Sequence, residues 1–110
     1  MTAAKAKQAF DESMPLHERA AWMGLRDVFD KHAQSHGFLT DDMLISRMPG
    51  ASEARRTLVA LLRERHGQAY AAIAWMVGVS AGWCGYVVTQ DRRRRGLDPR
   101  VGRGADSRGH

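Results

Sequence analysis

An all-α fold follows from three observations in this sequence. Apolar residues recur at spacings of three and four along most of residues 16–90, the signature of helices with one buried face. No stretch alternates apolar and polar residues as a half-buried strand would, and no internal repeat is present. Gly37, Pro49-Gly50, Gly67 and Gly78 punctuate segments of helical length. With 110 residues and 44% apolar content, the chain suits one small domain with a single helical core. That domain spans residues 15–95, between an N-terminal arm (1–14) and a tail (96–110).

The elements follow in order. Residues 1–14 are rich in Ala and Lys with little to bury, which leaves a flexible arm or a short frayed helix. Pro15 suits the first turn of a helix. Leu16, Ala20, Trp22, Met23, Leu25, Val28 and Phe29 then give the periodicity of one amphipathic helix over residues 16–36, closed by Gly37. Thr40 resembles an N-cap for a short helix over residues 41–47, with Asp41 and Asp42 at its positive end. Ser52 has the character of the next N-cap. Ala54, Leu58, Leu61 and Leu62 form the buried stripe of a helix that runs to His66, before Gly67.

Residues 70–90 read as a helix-turn-helix, the two-helix unit that sets one helix into the major groove of DNA. Ile73 and Val77 share one face of a first helix over residues 70–77. Gly78 can take the left-handed conformation that ends a helix. Val79 plugs the corner, and Ser80 caps the second helix. Cys84, Val87 and Val88 face inward on that helix, which continues into Asp91 and the arginines. Beyond Gly96, the Gly/Arg/Asp/Pro composition predicts a disordered basic tail.

Composition narrows the function classes. No apolar run approaches the roughly 20 residues of a membrane span, and residues 1–11 lack the apolar stretch of a secretory signal. The single Cys84 cannot form an internal disulfide, which fits a reducing cytoplasm. Net charge is +5, unevenly spread: −1 over residues 1–50, +2 over 51–90 and +4 over 91–110. Positive charge thus gathers behind the recognition helix, where a DNA-binding protein uses it. A cytoplasmic, nucleoid-associated, membrane-free protein is expected.

Residues 38–94 resemble the C-terminal DNA-binding domain of the bacterial replication initiator DnaA, of the TrpR-like superfamily. Phe38-Leu39-Thr40 with Leu44, Ser46 and Arg47 is similar to that domain's short first helix and its closing basic residue. Ala54-Arg55 and Leu61-Leu62-Arg63-Glu64 resemble its long helix, and Tyr70, Ile73 and Gly78 the helix before its recognition helix. The resemblance implies a DnaA-like helical fold that binds double-stranded DNA. It departs where DnaA reads its box: Ser80, Ala81, Gly82, Trp83 and Cys84 stand in place of the Asp-His-Thr-Thr-Val signature. The initiator's phosphate loop is also absent. The organisation further resembles DnaA-like transcriptional activators of alphaproteobacterial gene transfer agents and phages.

On a helix starting at Ala81, the residues expected to face the groove are Ser80, Ala81, Gly82, Trp83, Gly85, Tyr86, Thr89 and Gln90. Ala and Gly let the backbone come close, whereas Tyr86, Thr89 and Gln90 can hydrogen-bond base edges or phosphates. Arg92, Arg93, Arg94 and Arg95 would meet phosphates or a minor groove. The resemblance adds Arg47, Arg55 and Arg56 as backbone contacts. Trp83 reads either as half-buried packing or as an exposed contact, and Trp22 and Trp75 as packing between helices.

No serine, cysteine or carboxylate constellation supports catalysis, so the chain reads as a non-enzyme without a cofactor. His32 and His36 have a spacing that can bind zinc, but no third ligand stands at a clear spacing. Cys84 reads as a small core residue rather than a reactive thiol. The leading expectation is a sequence-specific transcription regulator, in the manner of an activator. One recognition helix reads only about four to six base pairs, so a homodimer, tandem sites or another protein must help. The helix at residues 16–36 is the expected place for self-association or for docking of RNA polymerase, its sigma factor or another DNA-binding protein. The alternatives are a protein adaptor or initiator antagonist on a DnaA-like fold, and a non-specific nucleic-acid binder acting through the arginine tail.

Overall fold

The computed structural model describes residues 10–97; the N-terminal arm before Phe10 and the basic tail from residue 98 lie outside the described residues. Six helices and no strand are found among them: α1 (Leu16–Trp22), α2 (Arg26–Ser35), α3 (Thr40–Ile45), α4 (Pro49–Glu64), α5 (Tyr70–Val77) and α6 (Ala81–Arg94). The all-α expectation therefore holds. No single helix among the described residues is long and apolar enough to cross a membrane.

The expected single helix over residues 16–36 is two helices. After Trp22 the chain makes a paired closure: Gly24 N–H donates to the Ala21 carbonyl (3.0 Å) and Leu25 N–H to the Ala20 carbonyl (2.8 Å). This arrangement needs a left-handed residue at its centre, and Gly24 supplies φ +77° without a Cβ clash. Apolar spacing survives the break because Leu25 returns to the core beside buried Ala20. Periodicity alone therefore could not reveal it.

Two expected caps are also corrected. Thr40 lies inside α3, after Leu39 at the cap position, and its hydroxyl donates instead to Asp30 Oδ1 on α2. The helix itself stops at Ile45 rather than residue 47. α4 begins at Pro49, three residues ahead of Ser52. Proline suits that first position because its missing N–H would have had no helical partner. α4 ends at Glu64, short of the expected His66.

The long α4 is the axis of the domain, packed against α2, α3, α5 and α6. Phe29, Met43, Leu58, Leu62, Ile73 and Met76 are fully buried around it. α1 lies on α2 and α5 and brings the preceding segment with it. Arg19 gathers three carbonyls, from Glu12 (3.1 Å), Met14 (2.9 Å) and Trp75 (2.8 Å). Trp75 Nε1 donates back to the Asp11 carbonyl at 2.9 Å. Phe10 and Trp22 meet the Trp75 ring edge-on at 5.8 and 6.2 Å. Trp75 is thereby buried, and residues 10–15 are strapped over α5.

The apolar residues expected to leave a free surface on residues 16–36 are largely engaged within the domain. Ala20, Phe29 and Ala33 are buried, and Leu16, Trp22, Met23, Leu25 and Val28 pack against the domain's own core. The exposed large apolar residues of the domain's middle are Leu39, Ile45 and Met48, around α3.

Candidate nucleic-acid interface

α5 and α6 meet through Gly78, Val79 and Ser80, and the chain direction turns by 106° between them. Each turn residue has a separate task. Gly78 N–H and Val79 N–H both donate to the Ala74 carbonyl (2.8 and 3.0 Å), which ends α5. Gly78 has φ +83°, and a Cβ there would meet Leu16 Cδ2 at 3.2 Å, so conformation and space both call for glycine. Val79 packs against the core from the corner. Ser80 Oγ accepts the Trp83 N–H at 3.1 Å and satisfies a donor of the first turn of α6.

At its start, α5 is set by Arg63. Its guanidinium donates to the Gln68 carbonyl at 3.1 Å and stacks over the Tyr70 ring at 4.4 Å. The link from α4 to α5 is thus closed by a residue of α4 itself.

α6 has two unlike faces. Cys84, Val87 and Val88 are buried against the core. On the outer side Ala81, Gly82 and Tyr86 are exposed, Tyr86 by 56%. Trp83, Gly85, Thr89 and Gln90 are half-buried. Gly82, Tyr86, Thr89 and Arg93 recur at steps of four, three and four, so they follow one stripe along the helix. Neither Gly82 nor Gly85 has a positive φ, and a Cβ at either would meet nothing within 4 Å. Packing among the described residues therefore gives no reason for these glycines.

The four arginines are not equivalent. Arg92 Nη1 donates to both Glu64 oxygens, at 3.0 and 2.9 Å. Arg95 Nη2 reaches Glu64 Oε1 at 3.3 Å and Asp91 Oδ2 at 3.0 Å. Arg93 and Arg94 are exposed and form no ion pair among the described residues. The remaining basic residues sit elsewhere. Arg55 Nη1 donates to the Met43 and Ser46 carbonyls (2.8 and 2.7 Å), tying the end of α3 to α4. Arg56 lies 3.9 Å from Glu53 on its own helix. Arg47 is exposed between α3 and α4. Arg56 stands eight residues before Glu64 on α4, about 12 Å at the helical rise.

The structure thus brings Ser80 to Gln90 and Arg93 together on one helix, and holds Arg47, Arg55 and Arg56 towards the opposite end of α4. Sequence reasoning passed over Glu64 and Arg19. Both act across tens of residues, and only the clustering of unlike charges near the ends of α4 and α6 hints at the first. His32 and His36 have ring centroids 4.7 Å apart. His32 Nε2 lies 2.8 Å from Thr57 Oγ1 and 3.0 Å from the Ala54 carbonyl, and His36 Nε2 is 3.4 Å from the same hydroxyl. Burial holds His32 below the ordinary histidine value, against the Ala54 hydrogen bond and with the help of His36. The two imidazoles therefore join α2 to α4. The chain matches no protein-family model, no curated protein and no solved structure.

Proposed function

We propose that this chain is a sequence-specific duplex-DNA-binding transcription regulator, and that α5, the turn and α6 form a helix-turn-helix with α6 as the recognition helix. The observation that carries the reading is the two-faced α6, set at 106° to α5. Helix-turn-helix units join their helices at about 90–120° across a short turn, and the start of the second helix enters the major groove. Here that start exposes Ala81, Gly82 and Tyr86, and the same stripe runs on through Thr89 to Arg93. Small residues admit the backbone to the groove, Tyr86, Thr89 and Gln90 supply hydrogen-bonding groups, and Arg93 and Arg94 supply positive charge for phosphates. The sequence resemblance of residues 38–94 to the DnaA DNA-binding domain points the same way. The changed residues at the start of α6 favour a site other than the initiator's.

Gel shifts on genomic fragments with competitor DNA test this reading. The expected result is a subset of fragments that resists competitor, and the T89A/Q90A double variant loses that preference while keeping weak binding. No shift at low salt overturns DNA binding. Equal competition on every fragment overturns sequence recognition.

A second reading, a protein adaptor, is favoured by the exposure of Leu39, Ile45 and Met48 around α3. It can also operate alongside DNA binding. A regulator with one recognition helix needs a partner for useful specificity, and in our reading an activator partner such as RNA polymerase docks there.

A further inference from the structure

The ion-pair cluster between the ends of α4 and α6 divides the arginine run into two pairs. Glu64 receives Arg92 through two bonds of 3.0 and 2.9 Å and Arg95 through one of 3.3 Å, while Asp91 takes Arg95 at 3.0 Å. Two carboxylates and two guanidinium groups cancel, so this cluster adds no net positive charge. The Glu64 and Arg92 side chains are only 19% and 18% exposed. Each is thus held mainly by the other rather than by solvent. Arg93, Arg94 and Arg95 are all exposed, but Arg95 is held by Glu64 and Asp91, whereas Arg93 and Arg94 form no ion pair among the described residues.

The position of Glu64 carries a second argument. It is the last residue of α4, where the negative end of the helix dipole disfavours a carboxylate. Two arginines offset that cost. The geometry points to Glu64 as the positioning residue of the recognition helix: through Arg92 and Arg95 it fixes the roll of α6 on α4, and only Arg93 and Arg94 contact phosphates. The need for such an anchor is visible in α6 itself. Its start is held by the Gly78–Ser80 turn and its middle by buried Cys84, Val87 and Val88, and the Glu64 pairs hold its last turn, beyond that apolar seat. This inference rests on the proposed DNA-binding reading for the phosphate contacts, but not for the anchor.

The test compares R93Q, R94Q, R92Q and E64Q in the full-length protein, by DNA affinity against salt and by thermal unfolding. R93Q and R94Q should each lower the slope of log affinity against log salt by about 1, with the melting temperature unchanged. R92Q should leave the slope within half of that loss, lower the melting temperature, and narrow the ratio of specific to non-specific affinity. E64Q removes the carboxylate that holds Arg92, while Arg95 keeps Asp91, so it should steepen the slope and reduce the same ratio. A slope loss in R92Q equal to that in R93Q overturns the division. So does an E64Q protein with wild-type slope, specificity and stability. An E64Q/R92Q double-mutant cycle reads the anchor without DNA. Non-additive stabilities support it, and additive ones overturn it whatever the DNA result. Absence of DNA binding in the wild type overturns the phosphate assignment and the proposed function together, while the cycle still decides the anchor.

Discussion

Replacing Gly82 and Gly85 by alanine separates the demands of folding from those of binding. Both lie inside α6 without a positive φ, and an added Cβ meets nothing within 4 Å at either site. Alanine in a helix interior is better than glycine by about 1 kcal/mol, and by less in the first turn, where Gly82 stands. The double variant G82A/G85A should therefore gain roughly 1–1.5 kcal/mol. For a domain of this size that corresponds to a rise of roughly 5–10 °C in melting temperature, read by circular dichroism. DNA affinity should move the other way. If the bare backbone of α6 lies close against the groove, each methyl overpacks that contact at a cost of about 1–3 kcal/mol. That is roughly a 5- to 150-fold loss per site, read by fluorescence anisotropy on a preferred fragment. A protein that becomes more stable yet binds as before refutes the close approach. A protein that becomes less stable refutes the claim that the chain leaves these positions open.

Two further outcomes follow from buried groups. His32 is depressed by burial in the fold, so the unfolded chain takes up its proton first. Its stabilising contribution is present above the ordinary value of 6.5 and declines as pH falls below it. H32N should flatten the loss of stability between about pH 6.5 and 5, measured by denaturant titration, and an unchanged slope refutes the assignment. Burial pushes the fully buried Cys84 thiol up to about 11. A thiol reagent at pH 8 should therefore leave the native protein unmodified and label it only on unfolding; rapid labelling of native protein refutes the burial.

What was legible in the sequence was local. Gly78 and Ser80 each act on residues within five positions, by ending α5 and capping α6, so their types announced their tasks. The inward set Cys84, Val87 and Val88 followed from helical period alone and is buried. The break at Gly24 was hidden because the closure that ends α1 returns Leu25 to the core. Thr40 misled because a hydroxyl near a helix start has two uses, and here Asp30 on a neighbouring helix takes it. The arginine run looked uniform for the same reason: Glu64, 28 residues away, singles out Arg92 only after α4 and α6 have come together. Arg55 likewise has the character of a surface cation but closes the end of α3.

The strap over α5 also sets an order of assembly. Contacts among α4, α5 and α6 close shorter loops, 28 residues from Glu64 to Arg92, whereas Arg19 finds the Trp75 carbonyl across 56 residues and Trp75 finds Asp11 across 64. Long closures are slow to gain because their entropy is lost before their contacts reward it. The C-terminal three helices are therefore expected to form first, with α1 and residues 10–15 joining afterwards. On opening the order should reverse: the N-terminal segment should lift first and expose the Trp75 indole, with α6 still seated on α4. Amide exchange should therefore be graded, fastest over residues 10–22 and slowest in α4 and α6, and equal protection throughout would refute that order.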